Sequence, residues 1–172
     1  MKLQNLLFIL ILTITGCKKD NQLAVLNQEI VFQSEYINYA WVYVHEGFVI
    51  DSSGNIRTYK LPKIWHFADT NGYISAADML ENIQQLNPPS SKVNKDTLLQ
   101  NYNKLILAAS GVLTEPKVEM FDAGGTVTSG FIYDSKLKKY KQILIRQTGD
   151  VYIENQSPYA KEIYDWIINI NK

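Results

Sequence analysis

Few side chains in this sequence could provide an imidazole or a thiol for catalysis or for metal binding, because the chain holds two histidines and one cysteine, so acid–base chemistry would fall mainly to carboxylates. His45 precedes Glu46, but the helical zinc-protease motif needs a second histidine at position 49, where this chain has Val49. His66 could act as a base oriented by Asp69, although such a triad also requires an aligned nucleophile. The sequence therefore predicts no catalytic residue, no metal site and no cofactor.

The segment between Asp69 and Asp78 partly matches the spacing of a calcium-binding loop. With Gly72 at the sixth loop position, the two aspartates fall at positions three and twelve, where oxygen ligands are expected. The first position would then be Phe67, which has no side-chain oxygen. A tight turn followed by a helix with Ser75 as its N-cap explains the same residues, and we adopt this interpretation.

A glycine-rich segment, Asp122-Ala123-Gly124-Gly125, could approach a ligand closely, because glycine tolerates backbone conformations that other residues avoid. It lacks the lysine of a phosphate-binding loop, and no helical pattern follows it. We therefore expect a mobile loop rather than a nucleotide site. The carboxylates of Asp122 and Asp150 could support acid–base chemistry if they converge within roughly 5–10 Å in a cleft.

Aromatic side chains are the remaining signal, since the chain holds eleven tyrosines and three tryptophans. Tyr and Trp combine a large apolar body with a polar group, so they serve both in cores and on recognition surfaces. Packing in the core is the simpler role for Trp41, Trp65 and Trp166. Tyrosines that line an outer sheet face would instead form a site for a glycan or a protein. The candidate ligand-binding residues are Tyr39, Trp41, Tyr43 and Tyr59.

The elements that must position these side chains begin with strands. Aromatic and β-branched residues alternate over 36–45, which predicts a half-buried first strand. Two further strands, over 47–51 and 55–60, are separated by a turn signal. In that turn Gly54 can take positive φ and Asp51 can accept hydrogen bonds from the turn backbone.

Helices and a second group of strands follow. An antiparallel meander is predicted over 117–153. Because antiparallel strands are segregated from helices, the predicted class is α+β, with a hairpin and a meander packed with about three helices in a single domain. The predicted helices cover 75–86, a segment that starts at Asn94 or Asp96 and ends near Ser110, and a final segment capped by Ser157 with Pro158 at its first position.

The N-terminus has the layout of an export signal, because Lys2 precedes a short apolar run over 6–14. That run is about half the roughly 20 residues that a membrane-spanning helix needs. It ends in Ile14-Thr15-Gly16-Cys17, which resembles the lipobox of bacterial lipoproteins. The resemblance implies cleavage between Gly16 and Cys17, and attachment of a diacylglyceryl group to the Cys17 thiol.

The lipobox resemblance divides the chain into three parts: a signal peptide over 1–16, a lipidated N-terminus and tether over 17–29, and one globular domain over 30–172. The lysines that follow Cys17 resemble those of Bacteroidota lipoproteins, in which a charged stretch can mark export to the cell surface. Trp41, together with the glycines of the 47–55 hairpin, also resembles small Bacteroidota lipoproteins. This second resemblance implies no particular activity.

Charge and location together limit the expected function. The 17 basic and 17 acidic side chains give no support for a nucleic-acid-binding surface. We expect a lipid-anchored protein of the cell envelope, held in the outer membrane and facing the periplasm or the exterior. Its expected activity is non-catalytic binding of another envelope protein or a glycan. The alternative is an envelope hydrolase that uses carboxylates, such as Asp122 and Asp150, on glycan or peptide.

Replacement of Cys17 tests the lipid anchor. The Cys17→Ser variant should leave the membrane fraction and lose incorporated palmitate, because lipid transfer requires the thiol. Metabolic labelling with palmitate in the producing bacterium, followed by fractionation, measures both effects, and the unchanged chain labelled in parallel is the control. Equal labelling of the two proteins would contradict the lipobox assignment.

Overall fold

Antiparallel hairpins build the sheet in residues 26–170, the part of the chain that the computed structural model describes. These residues form nine strands and three helices, which confirms the predicted α+β class with a hairpin, a meander and three helices. The strands are β1 (Ile30–Asn38), β2 (Val44–Asp51), β3 (Asn55–Lys60), β4 (Tyr73–Ser75), β5 (Ser91–Lys92), β6 (Lys117–Val118), β7 (Gly125–Asp134), β8 (Lys139–Gly149) and β9 (Val151–Glu154). The helices are α1 (Ala76–Gln84), α2 (Lys95–Ala108) and α3 (Pro158–Ile170).

The longest strands occupy the centre of the sheet. Its order is β5-β3-β2-β1-β7-β8-β9-β6, and β4 pairs with β8 outside this path. Strand β1 is therefore covered on both sides, by β2 and by β7, and all of its pairing is antiparallel. Because β1 has no free edge, its side chains have fixed positions on the two faces of the sheet.

The sheet has an apolar core on each face. On one face, α2 and α3 pack over Phe32, Phe48, Ile50 and residues of β8. On the other face, α1 and the segment between β3 and β4 cover a smaller cluster that includes Val49, Tyr59 and Phe131. The two clusters alternate along the strands because successive side chains of a strand point to opposite faces.

The predicted first strand over 36–45 is wrong, because the chain reverses direction inside it. Strand β1 ends at Asn38 and β2 begins at Val44, and these two residues pair with each other across the hairpin. The Asn38 Oδ1 atom accepts a hydrogen bond from the Ala40 amide at 2.7 Å, which starts the turn. An Asn side chain that bonds the backbone two residues on is a common turn former.

The Ser75 cap of α1 and the turn between β2 and β3, both predicted from local chemistry, are confirmed. The Ser75 hydroxyl accepts a hydrogen bond from the Asp78 amide at the start of α1, and α3 begins at Pro158 as predicted. In the hairpin between β2 and β3, Gly54 has φ +86° and the Asp51 carboxylate accepts from the backbone of the turn.

Helix α2 buries one side against the sheet. Leu98, Tyr102 and Leu105 are buried, and they pack on the sheet beside α3. Ile106, the residue after Leu105, is exposed. Successive helical residues are about 100° apart, so a stripe centred on Leu105 turns Ile106 towards the edge of the contact.

The chain is packed before β1 begins. Gln28, which lies in the predicted tether over 17–29, is buried, and its Nε2 atom donates to the Ile30 and Phe131 carbonyls at 2.6 and 2.7 Å. This side chain fixes the start of β1 against β7.

The predicted cleavage and lipidation residues, Gly16 and Cys17, lie outside the described residues. Within residues 26–170, no helix is both long enough and apolar enough to cross a membrane.

Two neighbouring residues of α2 test the assignment of the larger core. Leu105→Ala should lower the free energy of unfolding by about 2–5 kcal/mol, because it removes a fully buried side chain and leaves a cavity. Ile106→Ala is the matched control and should change it by about 0.5 kcal/mol or less, because Ile106 is exposed. Urea unfolding of both variants gives the comparison, and equal losses would contradict this packing.

Candidate functional site

Two ionisable side chains meet inside the sheet, on the face that α1 covers. Glu35 lies on β1 and His45 on β2, and their Oε2 and Nε2 atoms are 3.1 Å apart. Only 5% of Glu35 and none of His45 is exposed. Burial of such groups is unfavourable unless they are paired and hydrogen-bonded, so each side chain depends on the other for its place in the fold.

The pair is extended by three further polar side chains. The Tyr59 hydroxyl donates to Glu35 at 3.4 Å, and the Gln33 amide donates to the Tyr59 hydroxyl at 2.9 Å. On the other side, the Tyr43 hydroxyl lies 3.3 Å from the His45 Nδ1 atom. With the proton on Nε2, His45 donates to Glu35 and accepts from Tyr43, so each of these side chains has a hydrogen-bond partner. We call this hydrogen-bonded series the polar chain; its members are Gln33, Tyr59, Glu35, His45 and Tyr43.

Aromatic rings enclose the imidazole. The Phe67 ring stacks on His45 at a centroid distance of 5.6 Å, and Trp65 meets it edge-on at 5.4 Å. Trp65 in turn stacks on Tyr59 at 4.2 Å. Burial, followed by the negative charge of Glu35, raises the pKa of Tyr59 far above its usual range, so the hydroxyl keeps its proton and remains a donor.

Gly47 provides the space that the Tyr59 hydroxyl needs to reach Glu35. In the strand register Gly47 lies between these two residues, paired with Glu35 on one side and with Tyr59 on the other. A Cβ atom at position 47 would fall 2.3 Å from the Ser34 carbonyl oxygen and 2.9 Å from the Tyr59 hydroxyl. A larger residue would therefore disturb both the strand pairing and the polar chain.

The polar chain reaches the surface at the loop over 39–43, which we call the aromatic loop. Tyr43 joins this loop to His45, and the Tyr39 ring stacks on Tyr43 with centroids 5.3 Å apart and planes 27° apart. Trp41, at the middle of the loop, is 84% exposed, and Tyr39 is 72% exposed. Desolvation, followed by the proximity of Tyr39 and of Glu35, raises the pKa of Tyr43, so its hydroxyl stays neutral.

An open cleft of about 490 Å³ lies beside the aromatic loop, between it and the segment over 122–125. This volume falls in the range that is common for small-molecule sites, about 300–1,000 Å³. The ring of Tyr39 forms one border. The polar side chains that line the cleft are Asn38, Asp122, Gln147 and Asp150.

The segment over 122–125 is held in place by side chains, rather than forming the mobile loop that we expected. The two carboxylate oxygens of Asp150 accept hydrogen bonds from the Ala123 and Gly124 amides at 2.8 and 3.2 Å. The Tyr36 hydroxyl donates to the Ala123 carbonyl, and the Asn38 amide donates to the Asp122 carbonyl. Asp150 therefore shapes the wall of the cleft, and both of its oxygens are engaged.

His66 and Asp69, which the sequence offered as a possible base and its orienting group, have other partners. His66 lies 2.8 Å from the Glu81 carboxylate and 3.7 Å from Asp78, both on α1. Asp69 instead accepts hydrogen bonds from the amides of its own turn, chiefly that of Tyr73, and these bonds lower the pKa of Asp69. The turn-and-cap interpretation of this segment is the one that fits.

Within residues 26–170, no group of three or more acidic, histidine or cysteine side chains is placed to hold a metal ion.

The four candidate ligand-binding residues do not share one outer face. Tyr39, Trp41 and Tyr43 lie together in the aromatic loop, but Tyr59 is only 2% exposed and belongs to the polar chain. The expectation that Trp41 packs in the core is also wrong, because the turn at Asn38 carries it outwards.

Gln33 and Glu35 were not among the residues predicted from the sequence to belong to a site. Their spacing by two puts both on one face of β1, but this spacing does not by itself predict that they are buried.

The buried pair can be tested with two glutamates on neighbouring strands. Glu35→Ala should lower the free energy of unfolding by about 1–3 kcal/mol, because it leaves buried donors of His45 and Tyr59 without an acceptor. Glu46→Ala removes a carboxylate that pairs with Lys60 on the surface, and should change it by less than about 1 kcal/mol. Urea unfolding measures the free energy of unfolding of both variants. A loss of stability in Glu35→Ala that is no larger than the loss in Glu46→Ala would contradict the structural role of the buried pair.

Comparison of the chain with protein-family models, with curated proteins and with solved structures finds no match.

Proposed function

We propose that this protein is a lipid-anchored component of the bacterial cell envelope whose folded domain is a non-catalytic binding module. Lipid on Cys17 would hold it in the outer membrane, with the domain in the periplasm or at the exterior. Its partner would be another envelope component, a protein or a glycan. The lipobox-like residues before the domain support the location, and the aromatic loop with its cleft supports the binding activity.

The direction of β1 supports a binding site remote from the membrane. The chain comes from the tether at Ile30 and reaches the aromatic loop after Asn38. At roughly 3.3 Å per residue, this strand separates the two ends by about 26 Å. The tether would join the domain at the Ile30 end of β1, so the aromatic loop lies one strand length away from the point of attachment.

The exposed rings of the aromatic loop are the observation on which the proposal depends. Tyr39, Trp41 and Val42 expose most of their surface, next to a cleft with polar walls. Large aromatic side chains contribute strongly to binding when a partner covers them. The neighbouring segment adds Phe121, which is also 84% exposed, at the same end of the molecule.

The alternative of a carboxylate-dependent hydrolase has less support. Asp122 and Asp150 both line the cleft, but the oxygens of Asp150 accept hydrogen bonds from the backbone that forms the cleft wall. The buried Glu35 and His45 are enclosed by aromatic rings, so a substrate in the cleft would not contact them. Binding requires none of these groups to exchange protons.

Variants of the aromatic loop test this function. Tyr39→Ala and Trp41→Ala should each reduce the recovery of cross-linked partners from native envelopes, because both rings lie on the proposed contact surface. Tyr159→Ala is the control, since Tyr159 is a partly exposed tyrosine on α3, outside the cleft. The tagged, full-length protein serves as bait in its own membranes. Unchanged recovery with both loop variants would contradict the proposal.

A further inference from the structure

The charge of the cleft restricts what it can bind. Its described lining contains two carboxylates, of Asp122 and Asp150, and two carboxamides, of Asn38 and Gln147, but no Lys or Arg. Phosphates, acidic sugars and anionic lipid headgroups would be repelled by the carboxylates without a compensating cation. The lining therefore disfavours anionic ligands, and its two carboxamides offer donors and acceptors that suit the hydroxyl groups of a neutral ligand.

Two of the four polar side chains are available to such a ligand. Asn38 and Asp150 hold the segment over 122–125, so they act as supports. The Asp122 carboxylate and the Gln147 carboxamide take part in none of these supporting bonds. A carboxylate accepts hydrogen bonds, whereas a carboxamide both donates and accepts them, and the two together match the dual character of a hydroxyl group.

The aromatic loop supplies the other half of the site. The face of an aromatic ring carries partial negative charge, so it attracts the polarised C–H groups that a sugar ring presents on its flatter side. Tyr39 borders the cleft and stacks on Tyr43, while Trp41 stands exposed between them in the sequence. Such rings recognise the face of a sugar without a pocket that encloses it.

The polar chain beneath the loop fixes this platform before a ligand arrives. Tyr43 is held from below by His45, and His45 is held by Glu35. A side chain that is already ordered loses less conformational freedom on binding, which increases the affinity. Tyr39 gains the same advantage indirectly through its stacking on Tyr43.

We propose that the cleft beside the aromatic loop binds a neutral carbohydrate chain, with a sugar ring stacked on Tyr39 and its hydroxyl groups hydrogen-bonded to Asp122 and Gln147. This inference rests on the proposed binding function and specifies the ligand class of the same site. A protein partner with an apolar surface is the competing occupant. It would use the exposed rings but would not need the polar side chains of the cleft.

Calorimetric titration of the full-length protein with defined oligosaccharides tests the proposal. The probes are the hexamers of β-1,4-linked glucose, α-1,4-linked glucose and β-1,4-linked N-acetylglucosamine, with a galacturonic acid hexamer as the anionic comparison. The protein is kept in a detergent without a sugar headgroup, because alkyl glycosides would compete for the site. At least one neutral hexamer should bind saturably, and the anionic hexamer should bind more weakly than that neutral hexamer or not at all.

Substitutions then locate the binding. Tyr39→Ala and Gln147→Ala should each weaken binding of the neutral hexamer by about tenfold, the scale expected for one stacking contact or hydrogen bond. Tyr43→Phe keeps the stacked ring but loses the hydroxyl that bonds His45, so it should weaken binding by a smaller factor. The matched controls are Tyr159→Ala and Gln156→Ala, which replace the same residue types outside the cleft. Unfolding curves of all variants separate lost binding from lost structure.

Three results would overturn the carbohydrate proposal: no binding of any neutral hexamer, preferential binding of the anionic hexamer, or binding that the Tyr39 and Gln147 variants leave unchanged. If no hexamer binds but the Tyr39 and Trp41 variants still lose envelope partners, the binding function stands and its ligand is a protein. If these two variants also recover cross-linked envelope partners as well as the unchanged protein does, the proposed function itself fails.

Discussion

A carboxylate and an imidazole buried side by side fix how β1 and β2 are aligned in this fold. Glu35 and His45 are each removed from water, and neither would be stable there alone. Their pairing requires β1 and β2 to keep one register, because a shift of one residue would turn Glu35 to the other face of the sheet. In the same register Gly47 of β2 pairs with Glu35 of β1 and with Tyr59 of β3, so the alignment of three strands depends on one polar contact.

This constraint extends to the surface through a short path. His45 is buried and Tyr43 is half exposed, and one hydrogen bond joins them. The position of the aromatic loop therefore depends on a contact in the core. The opposite wall of the cleft is fixed independently, by Asp150 and by residues at the end of β1. The site lies between two segments that are both held by side-chain hydrogen bonds.

The features that could be predicted from the sequence are those decided by neighbouring residues. Ser75 caps its helix and Asp51 with Gly54 forms its turn, because each bond joins atoms within four residues. The turn after Asn38 could not be predicted from residue types, because aromatic and β-branched residues favour a strand on either side of a turn as much as in one continuous strand. The burial of Glu35 could not be predicted, because it depends on side chains from β2, β3 and the segment before α1. For the same reason His66 was matched with Asp69, its neighbour in sequence, instead of with Glu81.

The stability of the fold does not by itself explain the polar chain. Well-packed apolar residues in place of both members of a buried polar or charged pair often leave a protein equally stable or more stable. Two apolar side chains in the places of Glu35 and His45 could fill the same volume under Phe67 and Trp65, but they could not bond the hydroxyl of Tyr43. A directional contact at that point restricts the Tyr43 ring, and with it the stacked ring of Tyr39. We therefore interpret the buried pair as the element that converts an exposed turn, which would otherwise sample many conformations, into a surface with fixed ring positions.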